Sequence, residues 1–401
     1  MARISGLPDE LLVKILSFLP TKVAVSTSVL SKQWEFLWMW LPKLEFDDYH
    51  NNADINRPTS SYLSQDFIHK NLPLYRAHII ESLRLRIRLR SLQPNDFEAW
   101  VGIAVSRCVP ELSISYFPIY KEPDVLLPSS LYTCKSLVTL KLEGFKILVG
   151  VPPKGCLLPS LKTLELRLVR YLNEDSLRLL LKCCPILENL SILRVGYDNL
   201  NALVINVPSL QRLSLLDSVS PSYGCVIVTP SLKYFKVNDC KVKDESFSIE
   251  HMPELEEANI IIRRSTKELL KSVTSSRRLS LRLAFDSAKE TVYPDGIVFN
   301  QLENLELVIC NDDWSKLLVQ LLKDSPKLQI LNLIVDDSKS YFVGYKPVSW
   351  NNNHESSVPT CLLKSLETFK FSGYKGRQEE RDFLSFIFKH ARCLKSTSIL
   401  G

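Results

Sequence analysis

Pro159-Ser160-Leu161-Lys162-Thr163-Leu164-Glu165-Leu166 is a phrase this chain keeps returning to. Its form, P-x-L-x-x-L-x-L, recurs over Pro185 to Ile192, Pro208 to Leu215, Pro230 to Val237, Pro253 to Ile260 and Pro326 to Leu333. From Pro159 to Pro253 the successive prolines stand 26, 23, 22 and 23 positions apart, and the 73 positions from Pro253 to Pro326 hold three more such periods. Degenerate copies fill that interval at 279–281 and 302–307, and others lie upstream at 83–85, 112–114 and 137–142. A strand puts Leu164 and Leu166 on one face and the residues beside them on the other. A single strand of this kind cannot bury its apolar face, so successive copies must stack.

Helical spacing appears between some of the copies. Leu177, Leu180, Leu181 and Cys184 follow Asn173; Trp314, Leu317, Leu318 and Leu321 follow Asp312 and Asp313; Phe97, Trp100, Val101 and Ala104 follow Asn95. Strand and return helix therefore alternate, which gives an α/β solenoid of parallel strands. The pattern resembles the leucine-rich repeats, in an irregular form without a steady asparagine after the strand. The outward strand positions, among them Lys141, Glu165 and Lys236, form the candidate target-binding face. Strict alternation over residues 83–90 adds Arg84, Arg86, Arg88 and Arg90 on one side. Those arginines suit an acidic peptide or a phosphate group, but charge runs more often serve as a solvated face paired with nearby acids, and that reading is preferred.

The first forty residues are different. Pro8 suits a first helical turn, and Asp9 and Glu10 stand where the helix dipole favours negative charge. Leu11, Leu12, Ile15, Leu16 and Leu19 then fall on one side, and Pro20 ends the helix. Thr21 can cap a second helix and Ser31 a third, in which Trp34, Leu37, Trp38 and Leu41 share a face. Three helices in so few residues bury little surface alone, so part of this apolar side is expected to meet a partner or the rest of the chain.

The runs Ile4-Ser5-Gly6-Leu7-Pro8-Asp9-Glu10-Leu11-Leu12, Ile15-Leu16-Ser17-Phe18-Leu19-Pro20-Thr21-Lys22 and Thr27-Ser28-Val29-Leu30-Ser31-Lys32, followed by Trp34, resemble an F-box. Gln33 departs from it, since plant F-boxes of this kind usually carry a basic residue there. At the other end, Trp350, Val358-Pro359, Cys361-Leu362, Leu366-Glu367, Gly373-Tyr374, Gly376 and Ala391 to Lys395 resemble the FBD module of plant F-box proteins with leucine-rich repeats. Read from the residues alone, this end is a strand over 366–371, a turn over 373–376, and a helix opened by Glu379 and Glu380 with Leu384, Ile387, Phe388 and Ala391 on one face. The expected division is 1–47 F-box, 62–335 leucine-rich repeats and 350–401 FBD, with polar stretches at 47–61 and 336–358.

Composition narrows the function. At 401 residues with 45% hydrophobic content the chain is too long for one compact core and too apolar to be disordered. A net charge of +6 falls short of the concentrated positive charge that marks nucleic-acid binders. No apolar run is long enough for a membrane span, and no signal-peptide pattern opens the chain, which points to the cytosol or nucleus. None of the ten cysteines forms a Cys-x-x-Cys pair, and Cys183, Cys184 and Cys240 sit in or beside apolar segments, so reduced and mostly buried thiols are expected rather than metal ligands. No nucleotide-binding, zinc-hydrolase or nucleophile-elbow motif occurs, so no catalytic residue, metal or cofactor is assigned.

The family resemblance implies a substrate receptor of an SCF-type cullin-RING ubiquitin ligase, itself without a reacting group. Carried over residue by residue, the contacts to a Skp-type adaptor are Leu7, Pro8, Ile15, Leu16, Leu19, Pro20, Val25, Leu30, Ser31, Trp34 and Trp38, some of which instead hold the helices together. The repeats would bind a target protein. Two alternatives stand beside this one: a repeat scaffold with no ligase, and a nucleic-acid binder using the four arginines.

Overall fold

The alternation of leucines becomes parallel strands in a computed structural model of the chain, which describes residues 4–47, 67–87, 92, 94–118, 123–194, 196–217, 224–238, 247–262, 267–283, 296–309, 314–335 and 358–401. Arg88, Arg90, Cys240, Asp312, Asp313, Trp350 and most of both polar stretches lie outside the described residues. Two units, Met1–Leu200 and Asn201–Gly401, make up the chain.

In the first unit the strands are β1 (Lys43–Asp47), β2 (Ser82–Ile87), β3 (Glu111–Tyr116), β4 (Val125–Leu126), β5 (Thr139–Glu143), β6 (Ile147–Val149), β7 (Thr163–Arg167), β8 (Arg170–Tyr171) and β9 (Asn189–Arg194). β1, β2, β3, β5, β7 and β9 lie side by side, every neighbouring pair parallel. Their register builds an apolar ladder: Leu44 faces Leu83, then come Leu112, Leu140, Leu164 and Leu190, each buried. Burying each such side chain is worth about 1.5–3 kcal/mol, which is why the repeats stack rather than stand alone.

The second unit repeats the scheme with β10 (Leu203–Asn206), β11 (Arg212–Asp217), β12 (Cys225–Val228), β13 (Tyr234–Asn238), β14 (Phe247–Ile249), β15 (Glu257–Ile262), β16 (Arg278–Leu283), β17 (Asn304–Ile309), β18 (Ile330–Val335), β19 (Thr368–Ser372) and β20 (Ser396–Leu400). Here β11, β13 and β15 to β20 are the parallel row, and Leu213, Phe235, Ala258, Leu279, Leu305, Leu331 and Phe369 form its inner ladder.

The return limb is not always a helix. Between Pro159 and Pro185 it is a helix, Glu174–Lys182, whose Asn173 cap accepts the N–H groups of Asp175 at 3.1 Å and Ser176 at 3.2 Å. Leu177, Leu180 and Leu181 are its buried face. In the 23- and 22-residue periods that follow, the limb shrinks to β10, β12 and β14, which pair in a parallel sheet of their own. β4, β6 and β8 do the same in the first unit. The sequence points to return helices between some of the copies only, and the shorter periods, with fewer residues to spare, return by a short strand instead.

Three local expectations also change. Helix α1 spans Asp9–Leu16, and Pro20, rather than merely ending it, starts α2 at Thr21–Ser26. The third helix is replaced by turns over 32–36 and a 3₁₀ turn, Leu37–Trp40. Leu41 precedes Pro42 and is extended, so the chain cannot continue as an α-helix there. The last helix, Gln378–His390, buries Phe383 and Ile387 with Glu380 and leaves Phe388 exposed, and β20 follows it as a further strand.

Candidate functional site

Leu12 and Leu16, one turn apart on α1, are fully buried together with Ala24 of α2. Trp34, Leu37, Trp38, Met39 and Leu41 complete this small core. The side chain of Thr21 accepts the N–H of Glu45 at 2.8 Å, which binds α2 to β1. The Tyr75 hydroxyl donates to the carbonyl of Leu41, Arg107 donates to the carbonyls of Tyr75 and Ala77 at 2.9 and 3.2 Å, and the N–H of Arg76 reaches the carbonyl of Met39 at 3.0 Å. The headpiece is thereby anchored to the first repeat strands, and its core is completed from within the chain.

What remains outside is strongly apolar. Leu11 and Ile15 form a second stripe on α1, exposed beside the buried Leu12 and Leu16. Phe18 is 80% exposed, Val29 88% and Leu30 65%, and Leu19 and Val23 are exposed between them. Side chains of this size left in water mark an interaction surface. Gln33 donates to the carbonyl of Leu7 at 3.2 Å and to the carboxylate of Asp9 at 3.1 Å, so the residue that departs from the F-box pattern ties the loop before α1 to the segment after α2.

The residues drawn from the sequence separate into two groups. Leu16, Trp34 and Trp38 are buried in the headpiece core. Pro8, Ile15, Leu19, Pro20, Leu30 and Ser31 are exposed, and Leu7 and Val25 are half-buried. Phe18 and Val29 were not among the candidates, although helical spacing from Leu11 already carries the α1 stripe on to Phe18.

On the strand face of the first unit, charges cancel across neighbours. Arg84 pairs with Glu45 at 3.3 Å, Arg86 with Asp47 at 3.0 Å, Lys141 with Glu165 at 2.6 Å and Arg167 with Glu143 at 3.1 Å. Each pair joins register partners on adjacent strands. The described part of the arginine run is therefore a paired, solvated face. In the second unit Lys236 stands between Ser214 and Asn259.

Among the described residues, no group of three or more His, Cys, Asp or Glu side chains is placed to hold a metal, and no helix is long and apolar enough to cross a membrane. Cys134, Cys184, Cys225 and Cys361 are buried free thiols, and Cys108 is exposed. Burial pushes the Cys184 and Cys361 thiols up to about 12, which keeps them protonated and unreactive at neutral pH.

Three family models match the chain: the F-box domain over residues 4–46, the leucine-rich repeats of FBD-associated F-box protein At5g56370 over 97–261, and FBD over 354–399. Full-length relatives agree. The putative FBD-associated F-box protein At5g56700 of Arabidopsis thaliana is 64% identical over 402 residues, spanning 100% of this chain and 98% of its own. FBD-associated F-box protein At5g60610 of the same plant is 56% identical over 403 residues, spanning 100% of both chains. This chain belongs to the FBD-associated F-box proteins. The completed core with its uncovered apolar surface is thus the F-box, the stacked parallel strands are the leucine-rich repeats, and the strand and helix near Gly373 lie in the FBD.

Proposed function

We propose that this FBD-associated F-box protein is the substrate-recognition subunit of an SCF-type cullin-RING ubiquitin ligase in the cytosol or nucleus. The F-box, residues 1–47, docks a Skp-type adaptor; the repeats, 62–335, hold a target protein; the FBD, 350–401, follows the repeats. The subunit is a non-catalytic receptor. It raises the concentration of target lysines near a conjugating enzyme carried by the rest of the complex, so acceleration comes from proximity.

One observation carries the reading: Phe18, Val29 and Leu30 are uncovered on a headpiece whose own core is already filled by Leu12, Leu16, Trp34 and Trp38. A domain with no partner gains nothing from leaving such side chains in water. Ile15, Leu19 and Pro20 extend the same surface.

The test is calorimetric titration of purified full-length chain with a purified Skp-type adaptor. Phe18→Asp combined with Leu30→Asp is expected to abolish binding while leaving the thermal melt unchanged. Undiminished binding by the double variant would reject the docking surface, and no binding by the native chain would reject the ligase reading in favour of a repeat scaffold.

A further inference from the structure

From Leu215 on β11 to Phe371 on β19, the residues of one inner row of the second unit are at most 5% exposed. The next residue of that row, Ile399 on β20, is 38% exposed, and Thr397, in register with the buried Phe369, is exposed beside it. β20 ends its sheet, with β19 as its one strand neighbour among the described residues. The outer strand of the first unit is finished differently: Thr21 takes the N–H of Glu45 on β1, and Leu44 and Phe46 are buried. The apolar stack of the second unit therefore stops at β20 without a covering layer among the described residues.

The ladder shows which backbone groups of β20 face away from β19. The N–H of Ser396 donates to the carbonyl of Glu367 at 3.1 Å, and the carbonyl of Leu400 accepts the N–H of Tyr374 at 3.0 Å. Alternate residues of a strand bond opposite neighbours, so Ser396, Ser398 and Leu400 turn their backbone groups to β19, while the N–H and C=O of Thr397 and Ile399 turn to the open side. Edge strands are ordinarily protected by charge, proline or a bulge. Ser396-Thr397-Ser398-Ile399-Leu400 has no charged residue and no proline, and its register on β19 is continuous.

We propose that this edge pairs with the same edge of a second copy of the chain, antiparallel about a two-fold axis through Ser398. In that register the open N–H and C=O of Thr397 exchange hydrogen bonds with those of Ile399 of the second copy, and the reverse, so each copy satisfies the other. Centring on Thr397 instead would set Ile399 against Lys395, whose N–H is already bonded to Glu367 at 2.8 Å. The axis is perpendicular to the sheet, so the inner faces of both copies lie on one side. Thr397 and Ile399, both β-branched, then cover each other where the inner rows end. Like charges directly opposite would oppose such pairing, and this strand carries none. Strands of 5 residues make an interface smaller than the about 1,200 Å² of a standard complex, so the dimer exchanges with monomer at micromolar concentration.

The experiment is size exclusion with light scattering on the full-length chain over a concentration series. The mass is expected to rise from that of one chain to that of two. Thr397→Pro removes an N–H that faces away from β19, and Thr397→Lys sets a charge at the edge of each copy. Both are expected to stay monomeric at every concentration with an unchanged thermal melt, and the lysine variant carries the test should the proline variant fail to fold. Ser398→Cys tests the register, since opposite residues of a non-hydrogen-bonded pair have Cα atoms about 4.5 Å apart, within disulfide reach. With copper-phenanthroline as oxidant it should give a covalent dimer in excess of any the native chain gives. A native chain that stays monomeric throughout, a dimer that both Thr397 variants leave intact, or a Ser398→Cys chain that does not cross-link would each overturn the proposal.

Discussion

Glu380 lies buried beneath the turn that precedes its own helix and accepts the backbone N–H of Arg377 at 3.0 Å. The same oxygen accepts the N–H of Lys375 at 3.0 Å, so one carboxylate closes the loop between β19 and the last helix. Gly373 opens that loop with φ +77°, and a Cβ there would stand 2.8 Å from the carbonyl oxygen of Val335. The N–H of Tyr374 reaches the carbonyl of Leu400 at 3.0 Å and ties the same turn to β20.

Removing that carboxylate should be costly. Hydrogen bonds to a charged acceptor are worth about 1.5–3 kcal/mol each, so losing two of them in Glu380→Ala is expected to destabilise the second unit by about 3–6 kcal/mol. Glu380→Gln keeps one acceptor and should cost less. Urea unfolding followed by circular dichroism reads both, and an unmoved midpoint for Glu380→Ala would show that the turn holds without it.

The F-box offers a contrast between neighbours. Leu16 is fully buried and Phe18, two residues on, is 80% exposed. Leu16→Ala should cost about 2–5 kcal/mol of stability, whereas Phe18→Ala should stay within about 0.5 kcal/mol and act on adaptor affinity instead. Thermal melting beside adaptor titration separates the two effects, and equal melting temperatures for both variants would contradict the burial of Leu16.

How much of this was legible beforehand depends on which force set each residue. Leu164 and Leu166 were readable because a period of two has one structural meaning when a face must be buried. The helix after Asn173 was readable because Leu177, Leu180 and Leu181 keep a period near 3.6, and they are its buried face. The third F-box helix was misread because Trp34, Leu37, Trp38 and Leu41 do match a helical stripe, while Pro42 overrides it at the next position. Strand β20 was missed since Ser396, Thr397 and Ser398 carry no apolar alternation and pair only because β19 presents an open edge. The pairing of Arg84 with Glu45 and of Lys141 with Glu165 exists only once distant strands are in register.

Arg194 and Asp198 form a second buried device. The guanidinium meets both carboxylate oxygens at 2.6 and 3.0 Å and the carbonyl of Leu200 at 2.9 Å, and both side chains are almost wholly out of solvent. Asp198→Ala strands the buried cation and should cost about 3–5 kcal/mol, more than the double change Arg194→Met with Asp198→Ala, which removes both charges. Chemical denaturation of the two variants decides it, and a double change as damaging as the single would mean that the pair acts through packing rather than charge.

Alkaline pH should unfold the chain through its buried thiols. Burial raises Cys184 and Cys361 from 9.0 to about 12, and each Sγ donates to a backbone carbonyl at 3.2 Å, Leu180 for one and Leu322 for the other, a bond the thiolate cannot make. Below about pH 9 both thiols are protonated whether the chain is folded or not, so they add no pH dependence. Above it the unfolded chain releases protons that the folded chain keeps, and stability falls by about 1.4 kcal/mol per pH unit for each thiol until the folded values are reached. Urea midpoints at pH 8, 9 and 10 are expected to decline, and Cys184→Ala with Cys361→Ala should flatten that decline even though it lowers the midpoint at pH 8. A slope unchanged by the double variant would place the alkaline sensitivity elsewhere, with Cys156 next in line, since burial also pushes its thiol well above 9.0.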